Sequence, residues 1–218
     1  MDASLIKQII VSALPILFAI TFHEVSHGYI ANRLGDPTAK FMGRLTLNPI
    51  AHIDPVGTVL MPIMLLIMTG GQVMFGYAKP VPINPANFRD PRRDMAISAA
   101  AGPLSNIFLA IVSVVIIKLI IIPLYVLFGV SGAVVFEPLK TMFVASVYFN
   151  VILAVFNMIP IPPLDGGRVL VGLLPHKQAM AYSRIEPFGF IILIILIMTG
   201  IAWSFIMPIV NLFLSILF

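Results

Sequence analysis

Five runs of apolar residues, at 5 to 30, 56 to 69, 95 to 123, 138 to 160 and 187 to 218, are separated by short polar stretches. A helix that crosses a bilayer needs about 20 apolar residues. The first, third and fourth runs meet that length and predict three core transmembrane helices. The last predicts one long helix or two short ones, broken around Gly200 and Pro208. The second, PVGTVLMPIMLLIMTGG, is too short to span, is broken by Pro62 and is flanked by Gly57, Gly70 and Gly71. That pattern suits a re-entrant segment. Between the second and third runs, FGYAKPVPINPANFRDPRRD alternates Val81 and Ile83 with Pro80, Pro82 and Pro85. It predicts a small membrane-associated β-hairpin or edge strand, followed by a turn.

Composition turns this pattern into a class. The 218 residues are 60% hydrophobic and 10% charged, with a mean hydropathy of +1.06. The expectation is an all-α polytopic membrane protein, with residues 1–218 forming one membrane-embedded domain. Lys7 before an apolar run resembles a signal peptide, but no small-residue cleavage site follows, so the run is expected to be retained. There is no cysteine, so a metal site must use His, Asp, Glu or Asn. The net charge of +4 reports membrane orientation rather than nucleic-acid binding. The lipid bilayer is the expected surrounding, and nothing in the sequence fixes an oligomeric state.

The first apolar run carries H-E-x-x-H: His23, Glu24 and His27. On a helix, histidines four apart share a face and can reach one metal, leaving the glutamate free to act as a base. For this composition the expected number of chance matches is roughly one in a thousand. The first firm charge after the motif is Arg33, which puts the site roughly 12 Å inside that boundary. Ionisable groups at such depth are costly and normally face a cavity with partners. A catalytic zinc has three protein ligands and an open position. The candidate third ligand is Asp165 in FNMIPIPPLDGGR, where three prolines end regular helix and Gly166 and Gly167 permit unusual dihedrals. Read alone, LDGG is also the pattern of an ordinary Asp-Gly turn. In NPIAHIDP, His52 and Asp54 are close enough to meet a metal, although a loop turn needs no such role; His52 is an accessory or gating candidate. His176, beside Pro175 and Lys177, is expected to be solvated.

Together, H-E-x-x-H on the first span, AAGPLSN at residues 100 to 106 and NMIPIPPLDGG at residues 157 to 167 resemble the site-2 protease family of intramembrane zinc metalloproteases. GRLTLNPIAHIDPVGT and GYAKPVPINPANFRDPRRDM resemble its compact prokaryotic branch. The resemblance implies that His23, His27 and Asp165 hold one zinc ion and that Glu24 activates the water. It gives Asn157 a part in stabilising the oxyanion or positioning substrate. Asn106 is expected to pack the third segment. Residues 124–137 are too few for the PDZ module that some relatives insert between core helices.

A parity argument needs no family. If Asp165 is to join the histidines, the spans at 5 to 30 and 138 to 160 run the same way and that at 95 to 123 runs back. Residues 31–94 then begin and end on one side, and the segment at 56 to 69 is re-entrant. That side collects Arg33, Lys40, Arg44, Lys79, Arg89, Arg92, Arg93, Arg168, Lys177 and Arg184, so it is expected to be cytoplasmic. The expected function is hydrolysis of peptide bonds within or beside transmembrane segments of membrane-protein substrates, in a multi-pass prokaryotic plasma-membrane protein. The unwound substrate is expected to pair with the strand around Tyr77, Val81 and Ile83. The competing readings are a membrane metal transporter and a catalytically inactive membrane scaffold.

Overall fold

A computed structural model describes residues 3–68, 76 and 78–218. The chain opens with α1, Ala3–Leu34, a 32-residue helix. Gly35 ends it in the left-handed region at φ 114°, where a side chain would be strained. The Asp36 N–H then closes back on Ala31 O at 2.9 Å, satisfying a carbonyl of the last turn. A single turn, α2 (Thr38–Phe41), a 3₁₀ turn at Pro49–His52 and a wide turn at Pro55–Leu60 lead into α3, Met61–Met68. At about 1.5 Å per residue α3 is some 12 Å long over the described residues.

Helix α4, Pro91–Ile116, starts where Asp90 caps it: the Asp90 side chain accepts from Arg93 N, and Pro91 sits where no N–H is needed. It continues through a π turn at Ile117–Ile121 into α5, Ile122–Asn157. Residues 124–137, between two of the apolar runs, are helix. The chain reverses at Gly129 (φ 57°, ψ −140°), a conformation that a glycine alone adopts without strain. Pro91–Gly129 and Gly132–Asn157 are long and apolar enough to cross a membrane. Beyond them lie α6 (Asp165–Leu173), α7 (His176–Ser183), α8 (Glu186–Met198) and α9 (Ile201–Leu217). Helices α7 and α8, bent by 63°, pass the same test as a pair. The last apolar run is therefore two helices, broken at Gly200 (φ 76°), while Pro208 lies inside α9.

Among the described residues there is no strand, so the expected β-hairpin is not found. Residues 78–84 are irregular, because Pro80 and Pro82 have no N–H to give to a ladder. The described residues also do not support a re-entrant course for 56 to 69: they show the short α3, and 69–75 lie outside them.

Helix α4 is inside out by the standards of a water-soluble protein. Its buried face is small and polar, with Ser98, Ala99, Gly102, Asn106, Ala110 and Ser113. Its outer face carries Leu104, Phe108, Ile111 and Val115, all exposed. Large apolar side chains facing outward at helical spacing are what a lipid surround selects, and small residues let helices approach closely. Helix α4 with the π turn after it and helix α5 share a buried seam in which Ala110, Val114, Ile117 and Ile121 meet Val147, Val151 and Val155, covered by Ala202, Ile206 and Val210 of α9. Contacts fix the directions. His23 and His27 of α1 bond Asn106 and Ser98 of α4, and Asn106 and Ser113 bond Asn150 and Ser146 of α5. Both pairs are antiparallel, so residues 35–90 leave and return at one end of the bundle.

Candidate metal centre

Four residues apart on α1, His23 and His27 point into the bundle and are buried. Their rings meet edge to face, with centroids 4.6 Å apart and planes at 87°. Asp165 reaches them from the first turn of α6, with Oδ2 3.1 Å from His23 Nε2 and 3.2 Å from His27 Nε2. The two Nε2 atoms are 3.0 Å apart. Among the described residues these three form the one group of His, Asp and Glu side chains that could hold a metal ion.

Hydrogen bonding on the far side of each ring decides what the near side offers. His27 Nδ1 lies 2.7 Å from Ser98 O, a carbonyl that only accepts, so Nδ1 carries the proton. His23 Nδ1 donates to Asn106 Oδ1 at 2.6 Å. In their neutral form the rings direct two bare Nε2 lone pairs at each other and at Asp165 Oδ2, a buried oxygen without a hydrogen-bond donor. Three acceptors in van der Waals contact repel unless a cation lies between them. Zn–N and Zn–O bonds of about 2.0–2.1 Å in a tetrahedral site place ligand atoms roughly 3.3 Å apart. The observed triangle matches to within a few tenths of an ångström, so zinc fits these residues.

Glycines make the room. A Cβ on Gly102 of α4 would fall 2.3 Å from His27 Nε2 and 2.7 Å from His23 Cε1. On Gly166 it would meet Met158 O at 2.3 Å, and on Gly167 it would meet Pro162 N at 2.5 Å. The two glycines after Asp165 are helical, without positive φ. The sequence expectation of unusual dihedrals is thus corrected: they are needed because the loop at 158–164 folds back against the first turn of α6.

Residues 121–200 match peptidase family M50. Over 197 residues the chain is 35% identical to “Putative zinc metalloprotease YwhC” of Bacillus subtilis, covering 90% of this chain and 84% of the relative. The chain belongs to peptidase family M50. It is also 26% identical over 187 residues to “Putative zinc metalloprotease Rip2” of Mycolicibacterium smegmatis, covering 84% of this chain and 64% of that protein. The protein of the same name from Mycobacterium tuberculosis H37Rv is 28% identical over 184 residues, 83% of this chain and 63% of its own length. No solved structure matches the chain. This M50 peptidase, with its long apolar helices, is an integral membrane protein.

The remaining sequence candidates scatter. Glu24 is half-buried, and its Oε2 accepts from Val81 N at 2.8 Å. Asn157, the last residue of α5, donates to its own helix at Leu153 O, and no described hydrogen bond ties it to the triad. His52 is buried but stays apart from the metal cluster: Nε2 donates to Thr46 O, Nδ1 has no partner, and the backbone oxygen accepts from Lys79 N. Asp54 caps the turn at Pro55 through Val56 N and Gly57 N. His176 is exposed. Val81 is buried and Ile83 half-buried, while Tyr77 lies outside the described residues. Sequence reasoning missed Ser98, Gly102 and Asn150. A glycine or a polar side chain on the inward stripe of an apolar helix is the signal that could have found them.

Proposed function

We propose that this M50 peptidase is an intramembrane zinc metalloprotease in which His23, His27 and Asp165 hold the zinc and Glu24 is the general base. The observation that carries the reading is the triangle of His23 Nε2, His27 Nε2 and Asp165 Oδ2, 3.0, 3.1 and 3.2 Å on its sides. Zinc, when bound, supplies Lewis-acid polarisation of the scissile carbonyl and lowers the pKa of a water by several units. Ser98 O and Asn106 Oδ1 hold the two rings in the tautomer that exposes Nε2. The Val81 N–H fixes one oxygen of Glu24, leaving Oε1 to take the water's proton and pass it to the leaving amine. Asn157, at the end of α5, is assigned to the developing oxyanion or to substrate positioning.

Substrates are transmembrane segments of membrane proteins, which must unwind locally to offer a carbonyl. The extended stretch beside Glu24 is the surface proposed to receive them, and its donors are nearly all spent. Lys79 N donates to His52 O, Val81 N to Glu24 and Asn84 N to Asp36, while Pro80, Pro82 and Pro85 have no N–H. Pairing there therefore rests on carbonyl acceptors meeting the substrate's own N–H groups, a one-sided form of strand addition. The basic residues around the ends of α1, α4 and α6 support the reading that the metal end of the bundle faces the cytoplasm in a prokaryotic plasma membrane, with residues 1–218 acting as one unit. A metal transporter would spread exchangeable ligands along a path, whereas here they converge at one point with a carboxylate one residue away.

Metal content of the purified protein tests the assignment. Wild type and Glu24→Gln should hold about one zinc per chain, and His27→Ala and Asp165→Ala should hold none. Zinc retained in Asp165→Ala would remove the three-ligand site, and a folded wild type that binds no zinc would remove the reading altogether.

A further inference from the structure

His23 and His27 are held from behind in different ways. His27 leans on a backbone carbonyl, and the Ser98 hydroxyl returns a bond to His27 O at 3.0 Å. His23 leans on a side chain, Asn106, which is itself fully buried. An amide can present either end, so something must hold Asn106 with its oxygen toward the ring.

Two backbone carbonyls do so. Asn106 Nδ2 lies 3.0 Å from Ala19 O of α1 and 2.8 Å from Asn150 Oδ1 of α5. Asn150 is also buried, and its Nδ2 lies 2.8 Å from Ser146 O. Ala19 O and Ser146 O only accept, so each must face an NH₂ group. That orients both amides without ambiguity: Ser146 O holds the Asn150 nitrogen, which turns the Asn150 oxygen to Asn106. The second hydrogen of Asn106 then goes to Asn150, and its oxygen is left for His23. The His23 proton is thereby drawn to Nδ1 and its lone pair to Nε2. In an apolar surround a reversed amide would leave acceptors facing acceptors without water to relieve them.

We propose that Asn150 and Asn106 are positioning residues for the metal: a directional hydrogen-bond relay from α5 through α4 that sets the ring and tautomer of His23. The inference rests on the zinc assignment above. Asn150 bonds none of the proposed ligands and acts only through Asn106.

The test is the zinc dissociation constant of the full chain in detergent, by chelator competition, for wild type, Asn106→Leu, Asn150→Leu and the double variant. The melting temperature of each metal-free protein reports folding separately. Removal of a partner behind a metal-bound histidine typically weakens binding about 10- to 100-fold, which is expected for Asn106→Leu. Asn150→Leu should weaken it less, on the order of 3- to 10-fold, and the double variant should bind no worse than Asn106→Leu. Altered absorption of the cobalt-substituted Asn150→Leu protein would accompany the change. If Asn106→Leu does not fold, Asn150→Leu decides alone. Lower melting temperatures with wild-type zinc affinity, or an Asn150→Leu effect that persists undiminished without Asn106, would overturn the relay. His27→Ala is the reference: if it binds zinc as wild type does, the ligand assignment has failed rather than the relay.

Discussion

Gly102→Ala separates a site built around two histidines from an ordinary glycine in a helix. An alanine replacing a helical glycine normally stabilises by about 0.5–1 kcal/mol, because it restricts the unfolded chain and adds helix propensity. At Gly102 the new methyl would sit 2.3 Å from His27 Nε2, 2.5 Å from its Cε1 and 2.7 Å from His23 Cε1. Ordinary contact begins near 3.4 Å, so the His27 ring must retreat by about 1.1 Å, or α4 must move by as much. The ring is tethered by Nδ1 to Ser98 O at 2.7 Å, so either shift breaks a bond. Metal ligation tolerates displacements of only about 0.2 Å. Zinc affinity should fall at least about 100-fold, and the overpacked helix pair should lose about 1–3 kcal/mol. Chelator competition and thermal unfolding in detergent read the two effects. A Gly102→Ala protein that melts higher than wild type and keeps its zinc affinity would refute the packing of α4 against the ligands.

The clamp on Glu24, the proposed general base, and the anchor of the loop can each be tested as simply. Val81→Pro removes the N–H that Glu24 Oε2 accepts and touches no zinc ligand, so zinc content should stay and kcat should fall about 10- to 100-fold, the worth of a hydrogen bond to a charged group. Val81→Ala keeps the N–H and should stay within about threefold of wild type; equal losses in the two variants would refute the clamp. Asp36, fully buried at the end of α1, accepts from Asn87, Thr38 and Asn84. Burial works against its charge, but those bonds outweigh it and hold the carboxyl below the usual carboxylate range. Its contribution is therefore full above the unfolded pKa of about 3.9 and is lost as pH falls below that through the depressed folded value. Asp36→Asn should melt below wild type at pH 7, with the gap closing below about pH 4; a gap independent of pH would show that the charge is not what the loop uses.

The spacing of polar residues on apolar segments made the centre legible. His23, Glu24 and His27 could be read because helical periodicity alone places them, and Asp165 because three prolines and two glycines mark an interruption. What failed was whatever depended on tertiary fit. The helical course of 124 to 137 was not read, since the turn between the two spans rests on the single conformation of Gly129. The alternation around Val81 read as a strand, yet its donors go to Glu24 and His52 instead of a ladder. Gly166 and Gly167 carried the right signal with the wrong reason, close approach in place of left-handed dihedrals. Asn150 was silent because its meaning lies in Asn106, 44 residues away.

The bonds that orient the histidines are also bonds between helices, and this follows from the solvent. Lipid offers helices no hydrophobic reason to associate, so packing of small residues and polar contacts must hold them. Between α1, α4 and α5 six such contacts are present among the described residues: His23 to Asn106, His27 to Ser98, Ser98 back to His27, Asn106 to Ala19, Asn106 to Asn150, and Ser113 with Ser146. At about 0.6 kcal/mol each, a typical value for interhelical bonds in a membrane protein, they amount to roughly 4 kcal/mol. Five of the six involve a histidine or the asparagine that orients one. The metal centre is therefore part of what fastens the bundle, and a substitution that frees a histidine ring also loosens α1 from α4. Zinc binding should in turn raise the stability of the whole bundle by mass action, because the folded helices bring the three ligands together and the separated helices do not.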